Sequence, residues 1–330
     1  MRSAVVSRQS TILRRGFGIV DSFSYSGTDS TCFQALARQV LLVSGGKSIP
    51  QTRKLFMKSL KNMPSLLSAV VLALGVSTAA QAQTAQRSFV HRTTVANKSG
   101  HITFVSRPSV LNDPNAVIRV THNWNPPGLP GVYLNCIVGV YYASGFWGIF
   151  NQDTTCQMPL DASFNVAVGE GFVHSVTAAN TIGHITYINN PLSNGNPNAI
   201  VTATHHWKGT YNKSDIGVWY DSSRAKWAIF NENTTVAMSS GMAFSVNIST
   251  ASRFSFTAVV PSSTTGHTAV IDHPLLNGNP SAMIIITKNW SAAAIYNNSP
   301  ASVYYDGTKW RVYFDDFKPI AGMAFNVEIL

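Results

Sequence analysis

The sequence predicts an all-β protein of three homologous six-stranded β-sandwich or barrel-like repeats packed in tandem. Three observations predict it: a block of motifs returns twice at an offset of 83 residues, its apolar runs are short and rich in Val, Ile, Tyr, Phe and Trp, and turn residues separate the runs.

Gly100-His101-Ile102-Thr103 returns as Gly183-His184-Ile185-Thr186 and as Gly266-His267-Thr268-Ala269. Pro114-Asn115-Ala116, Pro197-Asn198-Ala199 and Pro280-Ser281-Ala282 keep that spacing, as do Trp124, Trp207 and Trp290. Further along, Val138-Gly139-Val140-Tyr141-Tyr142 matches Ile216-Gly217-Val218-Trp219-Tyr220 and Ala301-Ser302-Val303-Tyr304-Tyr305, and Trp147, Trp227 and Trp310 open the next block. Each repeat closes on Phe164-Asn165-Val166, Phe244-Ser245-Val246 or Phe325-Asn326-Val327.

In the middle repeat the runs place strands near 172–177, 184–188, 199–207, 216–220, 227–231 and 243–248. Asp306-Gly307 marks a tight hairpin, since Gly accepts the positive φ such turns require. No stretch after Ala82 holds a period near 3.6, so helices should be few. About four residues around Gly169 and Gly171 join the first two repeats, too few for a flexible tether, so the repeats should pack on one another. A closed assembly with approximate three-fold symmetry is the competing arrangement.

Charge is unevenly placed. The formal charge is +10, but residues 1–82 hold 10 Lys and Arg against 2 acids, leaving 14 bases and 12 acids beyond. A near-neutral remainder without a basic run argues against nucleic acid as a partner. Residues 57–82 read as a signal peptide: Lys58 and Lys61, an apolar run from Leu66 to Val76, then Ala80-Gln81-Ala82 as the cleavage site. That run is too short to span a bilayer, and none follows, so no membrane span is expected. Residues 1–56 read as an over-extended gene start or a leader, followed by repeats at 83–168, 169–251 and 252–330. The expected location is secreted or periplasmic, where a disulfide between Cys136 and Cys156 is permitted across the hairpin they flank.

The elements N-G-N-P-x-A, G-V-W-Y, W-x-I-F-N and F-N-V resemble those of an uncharacterised bacterial family of secreted repeat domains, over roughly residues 89–330. Repeat three departs from the pattern at Tyr313-Phe314 and at Lys288, where the others carry His. The resemblance implies export and modularity and transfers no activity.

Three groups of residues could carry chemistry. His101, His184 and His267 recur at one position after a Gly; converging on a three-fold axis they would bind a divalent metal, the one cofactor the sequence suggests. The plainer reading has each imidazole bonded within its own repeat. His122, His205 and His206 precede the recurring Trp and are expected at the surface or half-buried, with His206 and Trp207 on opposite strand faces. Carboxylates are few and irregular, and no nucleophile elbow, H-E-x-x-H or P-loop occurs. Among the aromatics, Trp219 and its counterparts Tyr141 and Tyr304, with Trp207 and His206, form the candidate ligand set, because an aromatic face packs against the C–H face of a pyranose.

Together these features read as a secreted, non-catalytic binding protein for carbohydrate or cell-surface ligands. A secreted hydrolase or metal-dependent enzyme using the repeated histidines, and a structural adhesion or surface component, are the alternatives.

Overall fold

The structure, a computed structural model, describes residues 88–330; the leader expected at 1–56 and the signal peptide expected at 57–82 lie outside the described residues. Repeat 1 comprises β1 (Ser88–Arg92), β2 (Lys98–Ser99), β3 (Ile102–Val105), β4 (Ile118–His122), β5 (Val138–Ala143), β6 (Phe146–Asn151) and β7 (Ser163–Val168). Repeat 2 follows with β8 (Phe172–Ser175), β9 (Thr181–Ile182), β10 (Ile185–Tyr187), β11 (Ala199–Trp207), β12 (Ile216–Asp221), β13 (Lys226–Asn231) and β14 (Met242–Thr250). Repeat 3 holds β15 (Ser255–Val259), β16 (Thr268–Ile271), β17 (Ile284–Asn289), β18 (Ala301–Tyr305), β19 (Trp310–Phe314) and β20 (Ala324–Ile329).

The all-β expectation holds. Helix among the described residues is confined to a 3-10 turn at Ala178–Asn180 and one turn, α1, at Trp290–Ala293. The two-residue β2 and β9 were not expected, being too short to carry a period. The hairpin at Asp306-Gly307 forms as expected: Gly307 takes a φ of 102°, and the Asp306 carboxylate accepts the Thr308 and Lys309 amides at 2.9 and 2.8 Å.

Each repeat is a small sandwich. In repeat 1 the sheet β1-β7-β4 faces the sheet β2-β3-β6-β5, and Phe89, Val105, Ile118, Val140, Trp147 and Phe164 fill the space between. The other repeats have equivalent cores around Trp227 and Trp310. The core indoles are fully satisfied: Trp147, Trp227 and Trp310 each donate Nε1–H, at 2.8 Å, to the backbone oxygen of Asp113, Asn196 and Asn279, in the same turn of each repeat.

The repeats also share sheets. β5 of repeat 1 runs parallel to β11 of repeat 2, with Val140 opposite His206, and β12 runs parallel to β17, with Val218 opposite Asn289. A bridge between Asn123 and Val303 joins repeat 3 back to repeat 1 in the same register. The arrangement is therefore closed, with a pseudo-three-fold axis.

β4, β11 and β17 surround that axis, which is why they are buried on both faces, polar residues included. Alternate residues serve each side: Ile118 and Val120 enter the repeat core, while Arg119 and Thr121 point inward. Three equivalent threonines pass bonds around the ring, with Val120 N donating to Thr204 Oγ1 (3.0 Å), Ala203 N to Thr287 Oγ1 (2.9 Å) and Ile286 N to Thr121 Oγ1 (3.0 Å). At one level symmetry is abandoned: the Arg119 guanidinium pairs with both oxygens of Glu328 and donates to Thr202 at 2.8 Å, all three groups buried.

Removing one member of that cluster strands a buried charge. Arg119→Met is expected to lower the unfolding free energy by about 3–5 kcal/mol in urea titration, and Arg119→Met with Glu328→Leu to recover most of it. A double variant as unstable as the single one would show that the pair is not the source of the loss.

Candidate functional site: aromatic clefts between the repeats

The parallel registers that close the ring also build three equivalent aromatic junctions, of which the first and third are seen to enclose a cavity. Because Val140 lies opposite His206, the next residues, Tyr141 and Trp207, stand side by side, ring centroids 6.3 Å apart at 81°. The same offset sets Trp219 beside Trp290 (6.0 Å, 82°) and Tyr304 beside Trp124 (6.0 Å, 79°). Each cleft takes a further ring from one repeat (Phe150, Phe230 or Tyr313) and a Tyr from the next (Tyr211, Tyr296 or Tyr133), in contact at 5.7, 5.3 and 5.9 Å.

The Gly-His histidines complete the clefts. His101 lies 6.3 Å from Tyr211 and His184 lies 5.9 Å from Tyr296, each an imidazole of one repeat against a phenol of the next. His267 packs on Phe317 at 4.8 Å and lines the third cleft. Convergence of these three imidazoles on the axis is thus contradicted, since each occupies a separate cleft. Bonding within the repeat is not seen either: Nε2 of His101 and of His184 is buried without a hydrogen-bond partner. Burial pulls His184 below the ordinary imidazole value.

The first cleft encloses about 100 Å³ and the third about 270 Å³. In the first, Tyr141 lies over the backbone of Gly148, where a Cβ would fall 2.3 Å from the ring. In the third, Trp124 lies over Gly131 in the same manner. The cleft indoles differ from those of the cores: Trp124 and Trp290 have a buried Nε1–H with no acceptor, and Trp207 is 36% exposed. A buried donor without a partner is costly, and the core indoles carry no such cost.

His206 does not belong with this set. It is buried, bonds Ser245 Oγ through Nδ1 at 3.1 Å and packs edge-on to Trp147 at 5.5 Å, on the strand face opposite Trp207. Nor are His122 and His205 at the surface: both are buried at the axis, because the strands that carry them are enclosed on both sides. With Lys288 they line an axial cavity of about 70 Å³. His122 Nδ1 donates to Ser302 Oγ at 2.8 Å, the hydroxyl of which donates to Asp315. Lys288 Nζ is saturated by Asp215 and by the backbone oxygens of Asn297 and Ser299. Among the described residues no three His, Cys, Asp or Glu side chains are grouped to hold a metal.

The expected disulfide joins Cys136 to Cys156 and ties the loop before β5 to the loop after β6. Carboxylates do stand close behind two of the junctions. Glu232 is buried behind the second cleft, its Oε2 accepting the Asn297 amide at 2.8 Å while Oε1 has no partner. Gln152 and Asp315 hold the equivalent place and take the Asn212 and Leu134 amides, so each repeat latches onto the next here. Sequence comparison of the repeats could have found this latch from its position after Asn151, Asn231 and Phe314.

A closed three-repeat all-β protein with aromatic clefts at its junctions is the class that fold and site define. The chain belongs to the DUF7452 family, a domain of unknown function, which matches residues 49–168, 147–236 and 217–329 as three overlapping copies. No curated protein and no solved structure matches it. No helix among the described residues is long and apolar enough to cross a membrane.

Burial raises the Glu232 carboxyl to about 7, opposed by the nearby Lys288 ammonium. Its folded value lies above the ordinary 4.5, so the cost of ionising it is absent below pH 4.5 and complete above pH 7. Gln already serves in this latch at position 152. Glu232→Gln is therefore expected to stabilise the protein by about 1–3 kcal/mol at pH 8 and much less at pH 4.5, read from denaturant midpoints. The buried His91, His174, His205 and His206 act in the opposite sense: burial holds each near 4, below the ordinary 6.5, so stability falls as pH drops from 6.5 toward 4. A Glu232→Gln gain equal at both pH values would show that ionisation is not its cause.

Proposed function

We propose that the protein is an exported, non-catalytic saccharide-binding protein with three binding clefts, one at each repeat junction. The observation that carries the reading is the contrast between the two tryptophan sets: the core set is bonded throughout, whereas the cleft set is partly exposed or holds buried donors without acceptors. A pyranose supplies an apolar C–H face for the cleft rings and hydroxyl groups for the polar atoms at their rim. Rings at about 80° to one another offer one wall for stacking and one for edge contact. The export signal at 57–82 and the Cys136–Cys156 disulfide support a secreted or periplasmic setting, where glycans of a cell surface are the ligands at hand. Three clefts on one chain would bind a polymer with avidity beyond that of any one of them.

Titration of the protein against a panel of neutral and acidic oligosaccharides, followed by tryptophan fluorescence and calorimetry, tests the reading. Trp207→Ala is expected to weaken binding of a single sugar unit at the first cleft about 2- to 10-fold and to lower polymer avidity more steeply. A panel in which no saccharide shifts the fluorescence or releases heat would refute it.

A further inference from the structure

The three clefts are not chemically equal. Directly opposite Tyr141 on the neighbouring strand stands Gly148, and opposite Trp219 stands Ala228, neither with a functional group. Opposite Tyr304 stands Arg311. Cross-strand partners share a sheet face, so Arg311 stands on the face that carries Tyr304 and Tyr313 into the third cleft, next to but outside the six residues that line it. The side chain is 30% exposed and held in place: Arg311 Nε donates to Asp306 Oδ2 at 2.6 Å. Asp306 is itself fixed, its Oδ1 accepting the Thr308 amide and hydroxyl and the Lys309 amide at the hairpin turn. The neighbouring Lys309 is bound to Asp272 at 2.8 Å. That leaves the two Nη groups of Arg311 as the donors without a partner in this cluster, oriented by a carboxylate already committed elsewhere.

We infer that the third cleft takes an anionic saccharide, a uronic acid unit whose ring packs against the wall formed by Tyr304 and Trp124 and whose carboxylate is bound by the Nη groups of Arg311. The inference rests on the saccharide reading above and adds to it the ligand class and the residue that selects it. A guanidinium anchored through Nε presents a planar pair of N–H donors, the geometry that matches a carboxylate, at little further cost in side-chain ordering. The first and second clefts, with Gly148 and Ala228 at that place, have no guanidinium there to bind a uronate.

The experiment uses short oligomers of galacturonic, glucuronic and mannuronic acid, each beside its methyl ester, titrated calorimetrically into the whole exported protein and into Arg311→Ala. The acid form of at least one oligomer is expected to bind about tenfold more tightly than its ester to the wild type, with the preference shrinking as salt rises. In Arg311→Ala the acid is expected to fall to the affinity of the ester, while ester binding is kept. Equal affinity for acid and ester in the wild type, or a preference that survives Arg311→Ala, overturns the inference and leaves saccharide binding standing. If neither acids, esters nor neutral sugars bind, the parent reading fails and takes this one with it. Arg311 is on the surface and small residues occupy its place in the other repeats, so the variant should fold; near-ultraviolet circular dichroism verifies this.

Discussion

The short parallel pairing of one repeat with the next is the constraint on which the rest of the structure depends. It covers only Gly139 and Val140 against His205 and His206, and Gly217 and Val218 against Lys288 and Asn289. Two residues of ladder would not hold repeats together alone. Behind them the threonine ring links all three repeats, and side-chain amides reach across: Asn165 donates to the Ile284 oxygen at 3.1 Å and Asn326 to the Val201 oxygen at 2.9 Å. Three equivalent junctions close the ring, so opening one exposes axial groups at the others. The same register sets the aromatic pairs, which makes the clefts a geometric result of closure.

Substitutions at the junctions are matched. Asn123 donates to Asn165 and Asn289 to Asn326, at 2.9 and 2.8 Å. In the middle repeat the corresponding residues are His206 and Ser245, and these too bond each other, at 3.1 Å. Repeat 2 thus lacks the amide of Asn165 and Asn326, and both members of the pair differ together. His206 is explained by that pairing and by Trp147, and needs no ligand.

Much of the fold was legible because it is local. Strand positions, the Asp306-Gly307 hairpin and the cysteine pair all follow from spacing within one repeat. The closed ring was legible only as one of two arrangements, since the parallel pairings join residues about 66 positions apart in sequence, as with Val140 and His206, and leave no periodic trace. The site was half legible. Tyr141, Trp219 and Tyr304 stand out as aromatic residues at one register position, and Trp207 is in the first cleft with Tyr141. Tyr133, Tyr211 and Tyr296 sit in loops of differing length and carry no alignable motif. The histidines were misplaced for one reason in both sets: repetition shows that three residues are equivalent, but it does not tell whether equivalent residues point toward the axis or away from it.

The buried cluster of Arg119, Thr202 and Glu328 has a consequence for how the gene could be rearranged. Its members come from repeats 1, 2 and 3, and the corresponding places elsewhere hold different residues, Ile285 among them. Starting the chain at another repeat while keeping the cyclic order leaves every neighbour in place. Exchanging two repeats would reverse the cyclic order and bring Thr202 and Glu328 to Arg119 from the opposite sides. The modules are copies in shape, but each is addressed to one successor, so the chain spells a direction as well as a fold.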